Sequence, residues 1–469
     1  MKIRAQILVL LGFIILAPAL FTVTSEAQPT MKRDTGKSKK AYGEGEKLLR
    51  ARNYRDALAK FEESIKFDAN NEEAHYSKGY AHYLLKEFDQ ALEEANLAEK
   101  LKYKPALDLY KLRASILYER KDYEAAMADI RRVLEAEPSN LEFLRLSGDV
   151  SLLSKNYDEA LATYQKVSDA APNDGNLIYA MAQIYAAKGD LEGQANAAEK
   201  AIQKGTQFLA EAQMLLADAY LKLGKTQQAE AAYLKVLSAK PDNREVYRIL
   251  GDMYRSQARY TDAIDITRRG LRIYDKDGDL YTDASWYYSL AGRHEEAVQA
   301  AQAGIRYKPT DSLAYTNLCR AYNDLNKPEL AISACNNALK INPNDGETFF
   351  YLGRANDVLD RPAEAAKFYK RAVTGLEAFT AERPTYSDGF YLLGNAYFAD
   401  NQLDKAIAAY SKCLELSPRF GRARYNIGIV QLQKNNKSGA TEQYNILVGI
   451  DRTLATKLKT EIDKVSDKP

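Results

Sequence analysis

One short pattern recurs along this chain: an aromatic or polar residue, two mostly charged residues, then an alanine. Tyr54-Arg55-Asp56-Ala57, Phe88-Asp89-Gln90-Ala91 and Tyr260-Thr261-Asp262-Ala263 show it plainly. The anchors are Ala57, Ala91, Ala126, Ala160, Gln194, Ala229, Ala263, Ala297, Ala331, Ala365, Ala406 and Ala440. They step by 34 residues, apart from two steps of 35 and one of 41. A fixed period of this length commits the chain to a stack of like units, and it overrides the prior of about three globular domains for this length.

Twelve residues before each anchor lies a small residue: Gly45, Gly79, Ala114, Gly148, Ala182, Ala217, Gly251, Ser285, Cys319, Gly353, Gly394 and Gly428. Twelve residues after it, proline stands in half the units: Pro138, Pro172, Pro241, Pro309, Pro343 and Pro418. Each unit therefore reads as two helical segments of about a dozen residues. Small residues let the two backbones approach, and a larger side chain there would overpack at a cost of about 1–3 kcal/mol. Proline cannot continue a helix interior, so it ends the second segment, often before turn residues such as Asn173-Asp174-Gly175.

These marks closely resemble the tetratricopeptide repeat, whose period is 34 residues. Tyr three residues after the small position (Tyr185, Tyr220, Tyr254, Tyr288, Tyr322, Tyr397) and an aromatic four after the anchor (Phe61, Tyr164, Tyr233, Tyr369, Tyr410, Tyr444) fit the same family. The resemblance covers residues 38–454. It departs at Gln194, where the core alanine is missing, and it loosens in the two outer repeats. It implies an all-α fold, a right-handed superhelical solenoid of antiparallel helix pairs. The first helix of each pair would line a concave face that takes extended peptides or helices of other proteins.

Carried over position by position, that face would present Tyr42, Tyr76, Tyr80 and Tyr83 near its N-terminal end. Arg145, Asp149, Asp218, Arg248, Asp252 and Arg255 would follow, then Trp286, the only tryptophan, and finally Phe350, Tyr391, Phe398 and Tyr425. Exposed aromatics in a groove are good anchors for a partner. The alternative is that they pack between repeats, as many must in a chain with 33 tyrosines. The Lys/Asn/Arg clamp with which some members of the family grip a C-terminal carboxylate is not reproduced at these positions.

The ends differ from the array. Lys2 and Arg4 precede an apolar run from Ile7 to Val23, and Ser25-Glu26-Ala27 offers small residues for cleavage, so residues 1–27 read as a secretory signal peptide. An uncleaved membrane anchor is the competing reading, weakened by Pro18 within the run. After residue 27 no stretch is long and apolar enough to span a bilayer. Residues 28–37 read as a polar linker. Asp451 to Val465 carries Leu454, Leu458, Ile462 and Val465 on one helical face, so residues 451–469 read as a solvating capping helix and tail. Seven extra residues, Thr380 to Tyr386, extend the preceding helix or form a short loop.

Little in the chain speaks for catalysis. No phosphate-binding loop, His-Glu-x-x-His, Cys-x-x-Cys or nucleophile elbow occurs. His75 and His82 share a helical face without the further ligands a metal needs, which favours ordinary groove or core histidines. Asp275 to Asp279 is faintly like a calcium loop but falls where an inter-repeat turn is due. Basic and acidic residues balance at 66 against 64, which gives no case for nucleic acid. In the ninth repeat, Cys319 on the first helix and Cys335 on the second meet at one level of an antiparallel hairpin. They are a candidate disulfide pair in an oxidising compartment, the alternative being two small buried hydrophobes. Cys413 reads as a buried free thiol.

The expectation is a non-catalytic, cofactor-free scaffold outside the cytoplasm, in a bacterial periplasm or secreted, that binds a protein or peptide partner. A spacer with an empty groove and a Tyr-rich groove for carbohydrate are the alternatives.

Overall fold

The structure is a computed structural model that describes residues 33–465. The expected signal segment and the first half of the expected linker lie outside the described residues. The chain divides into two compact units at Pro172.

The first unit holds four helix pairs: α1 (Thr35–Arg50) and α2 (Tyr54–Phe67), α3 (Glu72–Leu84) and α4 (Phe88–Lys100), α5 (Ala106–Glu119) and α6 (Tyr123–Ala136), α7 (Leu141–Leu153) and α8 (Tyr157–Ala170). Helix α1 begins inside the segment expected to be linker. Asp34 explains this early start, because its carboxylate accepts the Lys37 amide hydrogen at 3.0 Å and caps the helix.

The second unit holds eight pairs and a final helix. They are α9 (Gly175–Lys188) and α10 (Leu191–Gln203), α11 (Leu209–Lys222) and α12 (Thr226–Ala239), α13 (Arg244–Ser256) and α14 (Tyr260–Leu271), α15 (Gly278–Leu290) and α16 (His294–Tyr307). Next come α17 (Ser312–Asp324) and α18 (Pro328–Ile341), α19 (Gly346–Val358) and α20 (Pro362–Glu382), α21 (Ser387–Ala399) and α22 (Leu403–Leu416), α23 (Gly421–Gln433) and α24 (Lys437–Val448). Helix α25 (Arg452–Lys464) closes the array on Ala455, Leu458 and Ile462. No strand occurs among the described residues.

Every second helix starts three residues before its anchor, and every anchor is buried. The turn inside each pair has one left-handed residue, five before the anchor. Glycine supplies it at Gly189, Gly224 and Gly292, Asn or Asp at Asn326, Asp360, Asn401 and Asn435, and an ordinary residue at Arg52, Lys86, Lys121, Lys155 and Ala258. The residue after it closes the helix end, as where the Asn53 amide donates to the Leu48 carbonyl at 2.9 Å. The six prolines each stand two residues past the end of a second helix.

The small positions do two different things. At Gly79 the facing backbone comes close: an added Cβ would lie 3.1 Å from the Ala91 carbonyl oxygen. At Gly45, Gly148, Gly353 and Gly394 the space is instead filled by the ring four residues after the anchor, Phe61, Tyr164, Tyr369 and Tyr410. The tyrosine passes through this slot and donates its hydroxyl hydrogen to a polar group on the first helix. Tyr233 reaches Asp218 at 2.5 Å, Tyr410 reaches Asn395 at 2.7 Å, and Tyr164 and Tyr369 reach Asp149 and Asp357. Asp149 and Asp218, expected as groove charges, are therefore acceptors for core tyrosines.

The insertion lengthens the second helix: α20 runs through Glu382, and Arg383 to Tyr386 form the turn that follows. No proline stands at the usual place after Ala365, so α20 runs on to 21 residues until Pro384 forces Arg383 out of helical geometry. Seven residues are two turns, about 10 Å, and they keep the buried face in register.

Candidate functional site

Two groups of aromatics were expected along the first helices, and they fare differently. In the first unit, Tyr76 stacks on Tyr103 with centroids 4.3 Å apart, Tyr83 lies 6.1 Å from Phe88, and Tyr42 lies 6.0 Å from Phe61. Burial raises the Tyr76 phenol to about 12. Of this group only Tyr80 is exposed. His75 is buried with Nδ1 2.6 Å from Glu94, whose other oxygen accepts from Lys78 at 2.9 Å, and His82 Nδ1 lies 2.7 Å from Glu87.

In the second unit, Trp286, Phe350, Tyr391 and Phe398 line one cavity of about 1370 Å³. They stand on α15, α19 and α21, so the wall is built from first helices. Tyr425 is the exception: it packs beside the cluster of Ala440, Leu447 and Leu458 under the final helix.

Charge orders this cavity. Arg255 is only 7% exposed. It donates to Asp252 at 2.7 Å and to Asp388 at 2.8 Å, and its guanidinium lies 4.4 Å from the Trp286 ring. Burial works against its charge, but Asp388 and Asp252 outweigh burial and raise its pKa. Arg320, 5.8 Å from the same indole, donates to the Tyr351 hydroxyl at 2.6 Å and to Glu347. Burial raises the Glu347 carboxyl and Arg320 opposes it. Two cations thus hold Trp286 in place. Phe398 has no ring stacked on it among the described residues.

Arg255 and Asp388 are 133 residues apart. A second cross-link lies nearby: Arg422 donates to the Leu290 carbonyl at 2.7 Å and sits 5.5 Å from the Tyr260 ring. Helices α13 and α15 thus meet the α21–α23 region across the cavity. The two extra turns of α20 deliver Tyr386 and Asp388 to this point. Apart from Arg255, these cross-cavity residues were not singled out from the sequence. The extra seven residues were the one signal that something special lay there.

The other charged positions are structural. Arg248 pairs with Asp283 at 2.7 Å. In the Asp275–Asp279 turn, Asp277 caps α15 and pairs with Arg244, while Asp279 takes Arg244 at 2.8 Å and Lys308 at 2.5 Å. Cys319 and Cys335 form a disulfide between α17 and α18, and Cys413 is a buried free thiol that burial pushes up to about 12. No group among the described residues could hold a metal ion, and no described helix is long and apolar enough to cross a membrane.

Sequence comparison identifies several tetratricopeptide repeat models. One set matches residues 42–105 and 214–278, and others match residues 117–184, 312–345 and 394–435, together more than half of the chain. No curated protein matches. Among solved structures, the crystal structure of MamA protein is 24% identical, over 38% of this chain and 96% of that one, with a TM-score of 0.34. The Cut9 complex with Hcn1 (an APC/C hetero-tetramer) is 14% identical over 91% and 97%, with a TM-score of 0.35. Naa15/Naa10 bound to HypK-THB is 13% identical over 91% of each chain, with a TM-score of 0.38.

Proposed function

We propose that this chain, which belongs to the tetratricopeptide repeat family and is thus a protein–protein interaction scaffold, is a non-catalytic adaptor outside the cytoplasm. It holds a peptide or helix of a partner protein in the cavity of its second unit. The observation that carries this reading is the convergence of Trp286, Phe350, Tyr391 and Phe398 on one cavity of about 1370 Å³. That volume exceeds the 300–1,000 Å³ of small-molecule pockets, roughly, and its mixture of aromatic and arginine side chains is the mixture enriched at protein interfaces. Support for export is separate: the basic start, apolar run and small-residue site of residues 1–27, and a disulfide of the kind that persists in oxidising compartments.

The test is affinity capture from the source's extracytoplasmic fraction, read by mass spectrometry. The native chain is compared with a Phe350→Ser/Phe398→Ser variant and with Tyr80→Ala, each checked for native helix content. A protein retained by the native chain and by Tyr80→Ala but lost from the double variant is the expected result. Loss from Tyr80→Ala alone would move the site to the first unit, and capture of no specific protein would leave a spacer.

A further inference from the structure

We propose that the outward face of α1 docks on an anionic phospholipid surface. The inference is independent of the cavity and concerns the first helix pair.

Charge is concentrated where the array starts. Residues 32–52 carry eight cations and three carboxylates, a net +5 in a chain whose whole sum is +2. With 3.6 residues per turn, Ser38, Ala41 and Gly45 fall on one side of α1, where they are buried. Gly36, Lys39, Lys40, Gly43, Lys47 and Arg50 fall on the other side, and no carboxylate stands among them. Lys39, Lys40 and Lys47 are exposed and make no ion pair among the described residues. The two carboxylates of the helix stand at the flanks and are engaged: Glu44 takes Lys60 at 2.8 Å, and Glu46 accepts the Ser77 hydroxyl hydrogen at 2.7 Å. Arg50 comes only to 4.0 Å from Glu46.

A terminal helix needs a polar outer face for solubility, but solubility does not require one sign of charge. The closing helix α25 meets the same need with paired charges, Lys459 with Asp463 and Lys464 with Glu461. Glycine supplies a second observation. A Cβ on Gly43 would meet nothing within 4 Å, and glycine is the poorest helix former after proline. Packing within the chain therefore gives no reason for it. A bare spot between Lys40 and Lys47 lets a flat surface approach the helix backbone while the lysine stems reach along it.

A bilayer surface fits this face better than a folded partner does. The stripe offers no large apolar side chain as an anchor. In sequence, α1 is the first helix after the apolar run Ile7 to Val23, which brings the chain to a membrane whether it acts as a signal or as an anchor. Each lysine near an anionic surface is worth about fivefold in partition, and the attraction fades over a Debye length of about 8 Å at physiological salt. Docking of this kind is reversible and salt-sensitive.

The test is co-sedimentation of the mature chain (residues 28–469), which lacks the apolar run, with phosphatidylcholine vesicles and with vesicles that are about one third phosphatidylglycerol. Binding to the anionic vesicles alone is expected, with loss at about 0.5 M salt. Lys39→Gln with Lys40→Gln and Lys47→Gln should weaken it on the order of a hundredfold. These side chains are exposed, so native helix content should persist, as circular dichroism would verify. Arg452→Gln with Lys457→Gln and Lys459→Gln removes the same charge from α25 and should change binding by no more than about twofold. Equal loss from both triple variants would mean attraction to net charge alone and would overturn the proposal. Equal binding to neutral and anionic vesicles, or equal binding of the native chain and the α1 variant, would overturn it as well. Tighter binding to a single-stranded oligonucleotide than to the vesicles, abolished by the α1 changes, would assign the face to nucleic acid instead.

Discussion

Gly394 and Tyr410 should oppose each other in a measurable way. Tyr410 is fully buried, and its hydroxyl lies 2.7 Å from the Asn395 oxygen and 3.3 Å from the Asn426 amide nitrogen. A Cβ on Gly394 would fall against the Tyr410 ring, closer than real contacts allow. The ring is tied at its far end and cannot swing aside. Gly394→Ala should thus cost toward the upper end of the 1–3 kcal/mol of overpacking, roughly. The gain of about 1 kcal/mol for alanine over glycine in a helix offsets part of this. The net is a loss of about 2 kcal/mol. Tyr410→Ala alone should lose about 3–5 kcal/mol through its cavity. In that background the obstacle is gone, and Gly394→Ala should stabilise by about 1 kcal/mol. The coupling between the two changes is then about 3 kcal/mol. Urea unfolding followed by Trp286 fluorescence, a probe inside the same unit, measures all four corners of the cycle. Gly394→Ala as stable as the native chain would show that the ring yields, and the slot argument would fail.

Other consequences follow from the pairings. Asp388→Ala leaves buried Arg255 with the exposed Asp252 alone. It should destabilise the second unit by about 2 kcal/mol, below the 3–5 kcal/mol of a fully orphaned charge, and shift Trp286 emission; unchanged emission would refute the contact. Burial works against the Glu94 charge, but His75 and Lys78 outweigh it and hold Glu94 below its ordinary 4.5. Its contribution to stability is thus present above that pH and lost as the pH falls through the lower folded value. Glu94→Gln should flatten the acid limb of stability in the first unit, and an unchanged limb measured by circular dichroism would contradict the pairing. Of the three cysteines, none should react with iodoacetamide in the native chain, one in the unreduced unfolded chain, and three after reduction; three before reduction would exclude the disulfide.

Much of this architecture is legible in the sequence because the repeat is local. An anchor alanine, a small residue twelve earlier and a proline twelve later all act within one helix pair, so their spacing alone marks α1 to α24. The Cys319–Cys335 level follows from the same register. The left-handed turn residue escaped notice because only three of twelve are glycine, and Lys86 or Ala258 carries no turn signature. The aromatics were harder for a different reason. Tyr83 and Phe398 occupy like positions in their repeats, four after the small residue, but what lies opposite decides their role, and Phe88 is on hand for one and no ring for the other. The contact of Arg255 with Asp388 lies beyond any local pattern, since it depends on the summed rotation of the pairs between them and on two extra turns of α20.

That contact also bears on how such a chain can change by gain or loss of repeats. A stack held only by neighbours tolerates a copy added or removed anywhere along it. Between Arg255 and Asp388 the count is fixed by geometry. Removing the pair α17 and α18 would leave every remaining hairpin intact yet carry the two charges out of reach and delete the disulfide as well. Duplication and deletion are therefore free at α9 to α12 and constrained from α13 to α23, a stretch bounded by the Arg255–Asp388 pair and the Arg422–Leu290 hydrogen bond.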